Sequence, residues 1–145
     1  MKDNQIPQTA EPASETLQNQ TNRPQRILVV DDEPLILHLN VNGLIAAGYQ
    51  VDAAEDGTAA WDALQLNNYD LIITDNTMPR MTGIQMIEKM HIAGMVVPVI
   101  MASGTLPKDE LAQSPRLQPV ATLPKPYTAV KLLEMVKRVL GETNP

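Results

Sequence analysis

Cysteine is absent from the 145-residue chain. Disulfide bonds, zinc sites built on thiolates and catalytic thiols are therefore excluded together. Basic residues are also scarce, since 11 lysines and arginines stand against 17 aspartates and glutamates, for a formal net charge of -6. They form no basic run, and binding to a phosphate backbone needs clustered lysine and arginine. We therefore expect no contact with nucleic acid.

Long apolar runs are missing as well. No stretch approaches the roughly 20 apolar residues that a membrane-spanning helix needs, and the polar amino terminus is unlike a signal peptide. Residues 1–25 are rich in Gln, Asn, Thr, Glu and Pro, and offer little more than Ile6 and Leu17 as sizeable apolar side chains. We therefore expect a cytoplasmic protein that makes no membrane contact, with a disordered tail over residues 1–25.

The remainder has the length of one compact domain, residues 26–140, with a short tail over residues 141–145. Five apolar runs alternate with segments of helical period. The predicted strands are residues 27–30, 51–54, 71–74, 97–102 and 120–123. The predicted helices are residues 34–48, 57–68, 84–90 and 130–140, with a short or irregular fourth helix between Pro107 and Pro115. The helical period is read from Leu37, Val41, Leu44 and Ile45 in the first helix and from Val130, Leu133, Val136 and Leu140 in the last.

Strands separated by helices indicate an α/β fold with a parallel sheet covered on both faces. Ligands of such sheets bind beyond the carboxyl ends of the strands, near the point where the strand order reverses. Four polar residues end or follow predicted strands at this edge, namely Asp31, Asp32, Asp75 and Ser103. Carboxylates at close range resist joint ionisation unless a cation lies among them, and hard oxygen ligands suit Mg²⁺. The pattern predicts a magnesium-assisted phosphoryl site, although Asp31 or Asp32 taken alone would more readily be interpreted as a helix cap.

Four segments carry a more specific pattern. They are Val29-Val30-Asp31-Asp32-Glu33-Pro34, Asp75-Asn76-Thr77-Met78-Pro79-Arg80-Met81-Thr82-Gly83, Val99-Ile100-Met101-Ala102-Ser103-Gly104 and Leu123-Pro124-Lys125-Pro126-Tyr127. In order and spacing they resemble the signatures of bacterial response-regulator receiver domains of the single-domain, chemotaxis-regulator type, over about residues 26–140. The resemblance implies a flavodoxin-like, doubly wound sheet of order 2-1-3-4-5 with five helices. It also implies phosphorylation on aspartate by a histidine kinase or a histidine phosphotransfer protein.

The resemblance implies a set of Mg²⁺ ligands. Asp32 matches a direct ligand, and Asp31 is expected to hold the ion through water. Asp75 and the backbone carbonyl of Thr77 complete the protein's share. Transfer is then expected to require the metal, which neutralises charge on the phosphoryl group.

The resemblance also implies the catalytic residues. Asp75 matches the phosphoacceptor, whose carboxylate attacks the phosphorus of a phosphohistidine. Lys125 resembles the lysine that pairs with the phosphoryl group, and the Lys125–Pro126 peptide is expected to be cis. Ser103 resembles the hydroxyl that binds a phosphoryl oxygen and reports phosphorylation. Taken singly, Lys125 would be a solvated surface lysine and Ser103 a turn residue.

Other candidate residues favour structural roles. His38 and His91 have no partner acids at ligand spacing, so we expect neither to bind a metal or carry a phosphoryl group. Trp61, the single tryptophan, is expected to pack or to cover the surface.

Two other classes of protein share part of the pattern. A haloacid-dehalogenase-like phosphatase also uses a strand-end aspartate and Mg²⁺, but it needs a second acid where this chain has Thr77. A pseudo-receiver would serve as an unphosphorylated interaction module. The presence of Asp75, Lys125 and the two acids after the first strand favours an active receiver over both.

The end of the chain bears on how a signal would leave the domain. The sequence stops after the last helix, so we expect no DNA-binding, cyclase or methylesterase output domain. The output is then contact with an unknown downstream protein. The alternative is a receiver segment excised from a larger kinase.

Three departures from the family pattern bear on dimerisation. Thr122 stands where many receivers have an aromatic switch residue, Pro115 interrupts the fourth helix, and Lys131 stands where many DNA-binding regulators have an acid at a dimer contact. We therefore expect a monomer or a weak dimer that does not use the common face of the fourth helix and fifth strand.

Gel filtration with and without a phosphoryl mimic tests this expectation. The elution volume is expected to stay the same, because the residues that would build the dimer face are absent. A dimer that the mimic induces through that face would contradict it.

Overall fold

The computed structural model of the chain describes residues 23–141. Most of the predicted tails at residues 1–25 and 141–145 therefore lies outside the described residues. The strands are β1 (Arg26–Val30), β2 (Gln50–Ala54), β3 (Leu71–Thr74), β4 (Val99–Ser103) and β5 (Ala121–Pro124). The helices are α1 (Pro34–Ala46), α2 (Gly57–Leu66), α3 (Gly83–Ile92), α4 (Lys108–Gln113) and α5 (Ala129–Val139), and a 3-10 turn at Pro115–Leu117 follows α4.

The strands form one parallel sheet in the order β2-β1-β3-β4-β5. This is the predicted 2-1-3-4-5 order, and it reverses between β1 and β3. Val30 of β1 pairs with Thr74 of β3. The next residue of each strand is an acid, so this register brings Asp31 and Asp75 side by side. The Asp75 backbone N–H donates to the Val30 carbonyl at 3.1 Å, which extends the ladder to the acid itself.

Helices cover both faces of the sheet, as a doubly wound sheet requires. Helices α1 and α5 pack on one face, and α2, α3 and α4 pack on the other. The central strands β3 and β4 are buried along their whole length. The edge strands β2 and β5 are only partly buried. This gradient matches the sequence, because the apolar runs of β3 and β4 are unbroken, whereas Asp52 interrupts β2 and Thr122 interrupts β5.

Two residues assigned to apolar helix faces from the sequence are exposed. Ile45 is 52% exposed and Val130 is 65% exposed. In α1 the residue that completes the buried face beside Leu37 and Leu44 is the polar Asn40. The predicted fourth strand also begins two residues too early, because the structure starts β4 at Val99.

Side-chain caps begin three of the helices. Asp56 accepts a hydrogen bond from the Ala59 N–H at the start of α2, and Thr128 accepts one from the Lys131 N–H at the start of α5. Thr82 forms a capping box with Gln85 at the start of α3. Helix α4 has no side-chain cap and ends before Pro115, as predicted. Within residues 23–141, no helix has both the length and the apolar character that crossing a membrane requires.

A charged cluster joins β1 and β2 to the segment before β3 through hydrogen bonds to Asp52. The Asp52 carboxylate accepts hydrogen bonds from the Tyr69 hydroxyl and the Arg26 guanidinium, both at 2.6 Å. Burial alone would raise the pKa of Asp52, but these two hydrogen bonds outweigh it and lower the pKa below its usual value. Burial and the bond to Asp52 raise the pKa of Tyr69 to about 12. The cluster therefore favours the ionised form of Asp52.

Replacing Asp52 by Asn is expected to lower the free energy of unfolding at neutral pH. Because the pKa of Asp52 is lower in the folded protein, its contribution is complete above its unfolded value of about 3.8 and is lost as pH falls through the folded value. Urea unfolding of both proteins at about pH 7 and about pH 3 measures this, and the gap is expected to shrink at acid pH. Asp62→Asn, at an exposed position of α2, is the control. An equal gap at both pH values would contradict the prediction.

Candidate functional site

Three acids meet at the carboxyl end of the sheet. Asp31 and Asp75 are buried, and Asp32 is exposed. One carboxylate oxygen from each of the three lies within 4.8 Å of the others. The strand register explains this proximity, because Asp31 follows β1 and Asp75 follows the neighbouring β3. The arrangement offers hard oxygen ligands from three side chains at one point.

Lys125 lies among these acids. Its ammonium is 2.9 Å from Asp31 Oδ2, 3.0 Å from Asp75 Oδ2 and 3.1 Å from Glu33 Oε1. The Lys125 side chain is only 12% exposed. Burial would by itself lower the pKa of Lys125, but the hydrogen bonds to Asp31, Asp75 and Glu33 reverse this effect and raise the pKa. Lys125 is therefore a permanent cation at neutral pH.

The backbone around Lys125 places its side chain over the acids. The Lys125 N–H donates to the Ser103 carbonyl at 3.0 Å, which holds the end of β5 against the end of β4. The Lys125–Pro126 peptide is cis, as predicted.

Asp75 is held on both of its carboxylate oxygens. Lys125 binds Oδ2, while Oδ1 accepts the backbone N–H of Asn76 at 2.7 Å and that of Thr77 at 3.4 Å. Asn76 in turn fastens the loop to the start of α3, since its side-chain oxygen accepts the Ile84 N–H at 3.0 Å. The carboxylate is therefore fixed in orientation by its own loop.

Asp31 is likewise held on both of its carboxylate oxygens. Its Oδ1 accepts the backbone N–H of Glu33 at 2.9 Å, and its Oδ2 accepts the Lys125 ammonium. Burial raises the pKa of Asp31, and these hydrogen bonds offset the effect only in part. The cluster places one ammonium among four carboxylates, those of Asp31, Asp32, Glu33 and Asp75. This excess of negative charge, together with the hard donor set, suits a divalent cation.

Ser103 is buried at the end of β4 and its hydroxyl bonds within its own loop. It donates to the Thr105 carbonyl at 3.1 Å and accepts the Thr105 N–H at 3.3 Å. Thr122, on the neighbouring β5, is exposed. The hydroxyl thus lies at the carboxyl end of the sheet, near the acids, but it is hydrogen-bonded to Thr105 of the β4–α4 loop.

The comparisons with known proteins agree with this geometry. A family model described as the response regulator receiver domain matches residues 27–137. The chain belongs to the response regulator receiver family. Neither the phosphatase nor the pseudo-receiver alternative gains support from the match.

Two relatives and one solved structure are similar to this chain over most of its length. The chain is 30% identical to the response regulator MprA of Mycobacterium sp. (strain KMS) over 84% of its own length, and spans about half of that relative, 53%. It is also 30% identical to the chemotaxis protein CheY of Pseudomonas aeruginosa, over 82% of this chain and 98% of CheY. The solved structure of TrrA from Thermotoga maritima, described as a complex with Mg²⁺-BeF, is 30% identical with a TM-score of 0.70, over 79% of this chain and 98% of TrrA.

Two contacts of this receiver were not anticipated from its sequence. The motif after β1 assigns no role to Glu33, but its carboxylate accepts a hydrogen bond from Lys125. Asn76 belongs to the motif that begins at Asp75, and its side-chain oxygen accepts a hydrogen bond from the start of α3. Glu33 directly follows the two motif acids, which was a usable signal. The partner of Asn76 lies eight residues away in a turn whose shape the sequence pattern did not reveal.

Gly83 packs directly against the loop of Asp75. A Cβ atom at this position would lie 2.6 Å from the Asp75 carbonyl oxygen and 3.1 Å from Asn76 Cα. Both neighbours are backbone atoms, so neither can rotate away. The close approach of α3 to the loop therefore requires glycine.

Gly83→Ala is expected to lower the free energy of unfolding by about 1–3 kcal/mol, because the added methyl overpacks a rigid contact. Urea unfolding measures the change. Gly43→Ala is the matched control, since a Cβ there meets nothing within 4 Å. In mid-helix that replacement is expected to stabilise by up to about 1 kcal/mol. A Gly83→Ala receiver as stable as the parent would contradict the expected overpacking.

Proposed function

We propose that Asp75 of this receiver accepts a phosphoryl group from a phosphohistidine of a partner protein. The observation that supports this most is the Lys125 ammonium between Asp31 and Asp75, with Asp32 in the same cluster. An oxygen of Asp75 attacks the phosphorus, and an acyl phosphate forms. The bond from phosphorus to the imidazole nitrogen breaks, and its electron pair returns to the imidazole.

The donor set fits Mg²⁺, and we propose the ligands that the sequence suggests. Asp32 would bind directly, Asp31 through water, and Asp75 and the backbone carbonyl of Thr77 would complete the protein's share. When bound, the ion neutralises negative charge on the phosphoryl oxygens. The exposed position of Asp32 supports this choice, because it leaves a path for a hydrated ion. The solved structure of TrrA, a protein similar to this chain, is described as a complex with Mg²⁺-BeF, which also supports a magnesium site here.

Lys125 would bind the incoming phosphoryl group. The hydrogen bonds that raise the pKa of Lys125 keep it positively charged as the group approaches. The ammonium already contacts Asp75 Oδ2 at 3.0 Å, so a phosphoryl group on this carboxylate lies within its reach. Charge-assisted hydrogen bonds of this kind are stronger than neutral ones. Lys125 therefore orients the group and offsets its charge.

Ser103 would respond to phosphorylation. To bind a phosphoryl oxygen its hydroxyl must release the Thr105 carbonyl, which it now binds at 3.1 Å. The exchange would move the β4–α4 loop. Exposed Thr122 has no aromatic ring to follow that movement. The change that a target protein recognises would then be centred on this loop.

The partners follow from the chemistry. The phosphoryl donor is a histidine kinase or a histidine phosphotransfer protein, and the receptor of the signal is a downstream protein still to be identified. The alternative is an interaction module that is never phosphorylated. The experiment described next distinguishes this module from an active receiver.

The reaction is tested by measuring the intact mass of the protein after incubation with acetyl phosphate or phosphoramidate. One phosphoryl adduct is expected with Mg²⁺, and none with a chelator. The adduct should be labile to base, as an acyl phosphate is. Asp75→Asn should abolish it, because an amide cannot form this bond.

Asp70→Asn is the matched control. Asp70 immediately precedes β3, whereas Asp75 follows it, so the control removes an acid at the far end of the same strand. Its adduct should equal that of the parent. A folded parent that forms no adduct with any donor would favour the interaction module, and an adduct that persists in Asp75→Asn would place the phosphoryl group elsewhere.

A further inference from the structure

We propose that Asn40 and Tyr127 are positioning residues for Lys125, an inference that rests on the proposed function. The Asn40 side-chain amide donates a hydrogen bond to the Tyr127 hydroxyl at 2.7 Å. Asn40 belongs to α1, and Tyr127 is two residues beyond Lys125. The bond therefore joins the Lys125 segment to the helix that follows Asp31 and Asp32.

Asn40 is a polar residue on the buried, otherwise apolar face of α1. Asn40 is 8% exposed and lies on the buried face of α1, between Leu37 and Leu44. Both leucines belong to the apolar layer between the sheet and helices α1 and α5. An amide in such a place costs free energy unless it is hydrogen-bonded, whereas leucine would fit the helix pattern at no such cost. The Tyr127 hydroxyl accepts a hydrogen bond from this amide and so offsets part of that cost.

Packing contacts Tyr127 on one side, where it lies against the apolar layer between the sheet and helices α1 and α5. A cavity of about 330 Å³ lies between α1 and α5, and Lys125, Tyr127 and Asn40 are among the residues that line it. Free space on one side lets the segment shift, because a void removes the contacts that would resist movement. The hydrogen bond to Asn40 supplies a directional restraint at this point.

The other restraints on the segment tie it to β4 and to α5, and none of them reaches α1. Before Tyr127, the Lys125 N–H is bonded to the Ser103 carbonyl. After it, Thr128 caps α5. The bond from Asn40 instead links the segment to α1. It therefore helps to set the distance between Lys125 and the acids of the β1–α1 loop. The ammonium contacts Asp31, Glu33 and Asp75 at 2.9–3.1 Å, and small shifts of the segment would break them.

The test is a double-mutant cycle with Tyr127→Phe, Asn40→Leu and the pair combined. Affinity for beryllofluoride in the presence of Mg²⁺ reports how well Lys125 meets a phosphoryl-like group. We expect Tyr127→Phe to weaken it about three- to tenfold, the equivalent of one hydrogen bond. Affinity for Mg²⁺ alone is expected to stay the same or rise, because a loosened ammonium opposes a cation less. The double variant should be no weaker than the worse single variant.

One further measurement and one control variant separate positioning from stability. In the metal-free protein, the NMR signal of the Lys125 ammonium should shift or exchange faster in Tyr127→Phe. Tyr69→Phe is the matched control, since its hydroxyl donates to Asp52 at 2.6 Å, away from the Lys125 segment. That variant should change the free energy of unfolding and leave beryllofluoride binding and the Lys125 signal as they are.

The outcomes are distinct. If the parent binds beryllofluoride and Tyr127→Phe binds it equally well, or weakens Mg²⁺ binding in the same proportion, the positioning role is wrong and the proposed function stands. If the parent does not bind beryllofluoride with Mg²⁺, the proposed function is wrong. In that case the Lys125 signal decides the positioning role alone, and a signal unchanged by Tyr127→Phe overturns it.

Discussion

The carboxyl end of the sheet depends on the Lys125 ammonium, which lies between two buried carboxylates. The β1–β3 register forces Asp31 and Asp75 side by side, and repulsion between ionised carboxylates at this range is substantial away from bulk water. Lys125 offsets it by contacting both acids within 3.0 Å. The lysine comes from the end of β5 and the acids from β1 and β3, so the site forms only when the whole sheet is assembled in its doubly wound order.

The donor capacity of Lys125 also constrains how the site can work. An ammonium has three N–H donors, and Asp31, Asp75 and Glu33 accept all three. A phosphoryl oxygen can be bound only if one of these carboxylates is released. Asp75 is the carboxylate that Lys125 would release, because the carboxylate of Asp75 loses its negative charge when it is phosphorylated. The site is therefore already arranged for an exchange of acceptors, with Asp31 and Glu33 keeping the ammonium in place.

The fold and the meeting of the acids could be predicted from sequence because both depend on local pattern. Apolar runs mark the strands, and an acid that directly ends a run must lie at the sheet edge. The pattern was misleading at Ile45 and Val130, where the helical period includes residues that the tertiary packing leaves exposed. Partners far apart in sequence gave no such signal. The bond from Asn40 to Tyr127 spans 87 residues, and nothing near either residue indicates the other.

The same structural reasoning suggests where a signal can leave the domain. Helix α4 has six residues and no side-chain cap, so the segment after β4 has few local restraints of its own. Ser103 holds that segment through Thr105 at the strand end. On the other side, Thr122 is exposed and offers no large side chain to couple β5 to the loop. Movement that begins at Ser103 would therefore pass into the β4–α4 segment and weakly into β5, which makes this loop the surface where phosphorylated and unphosphorylated forms would differ most.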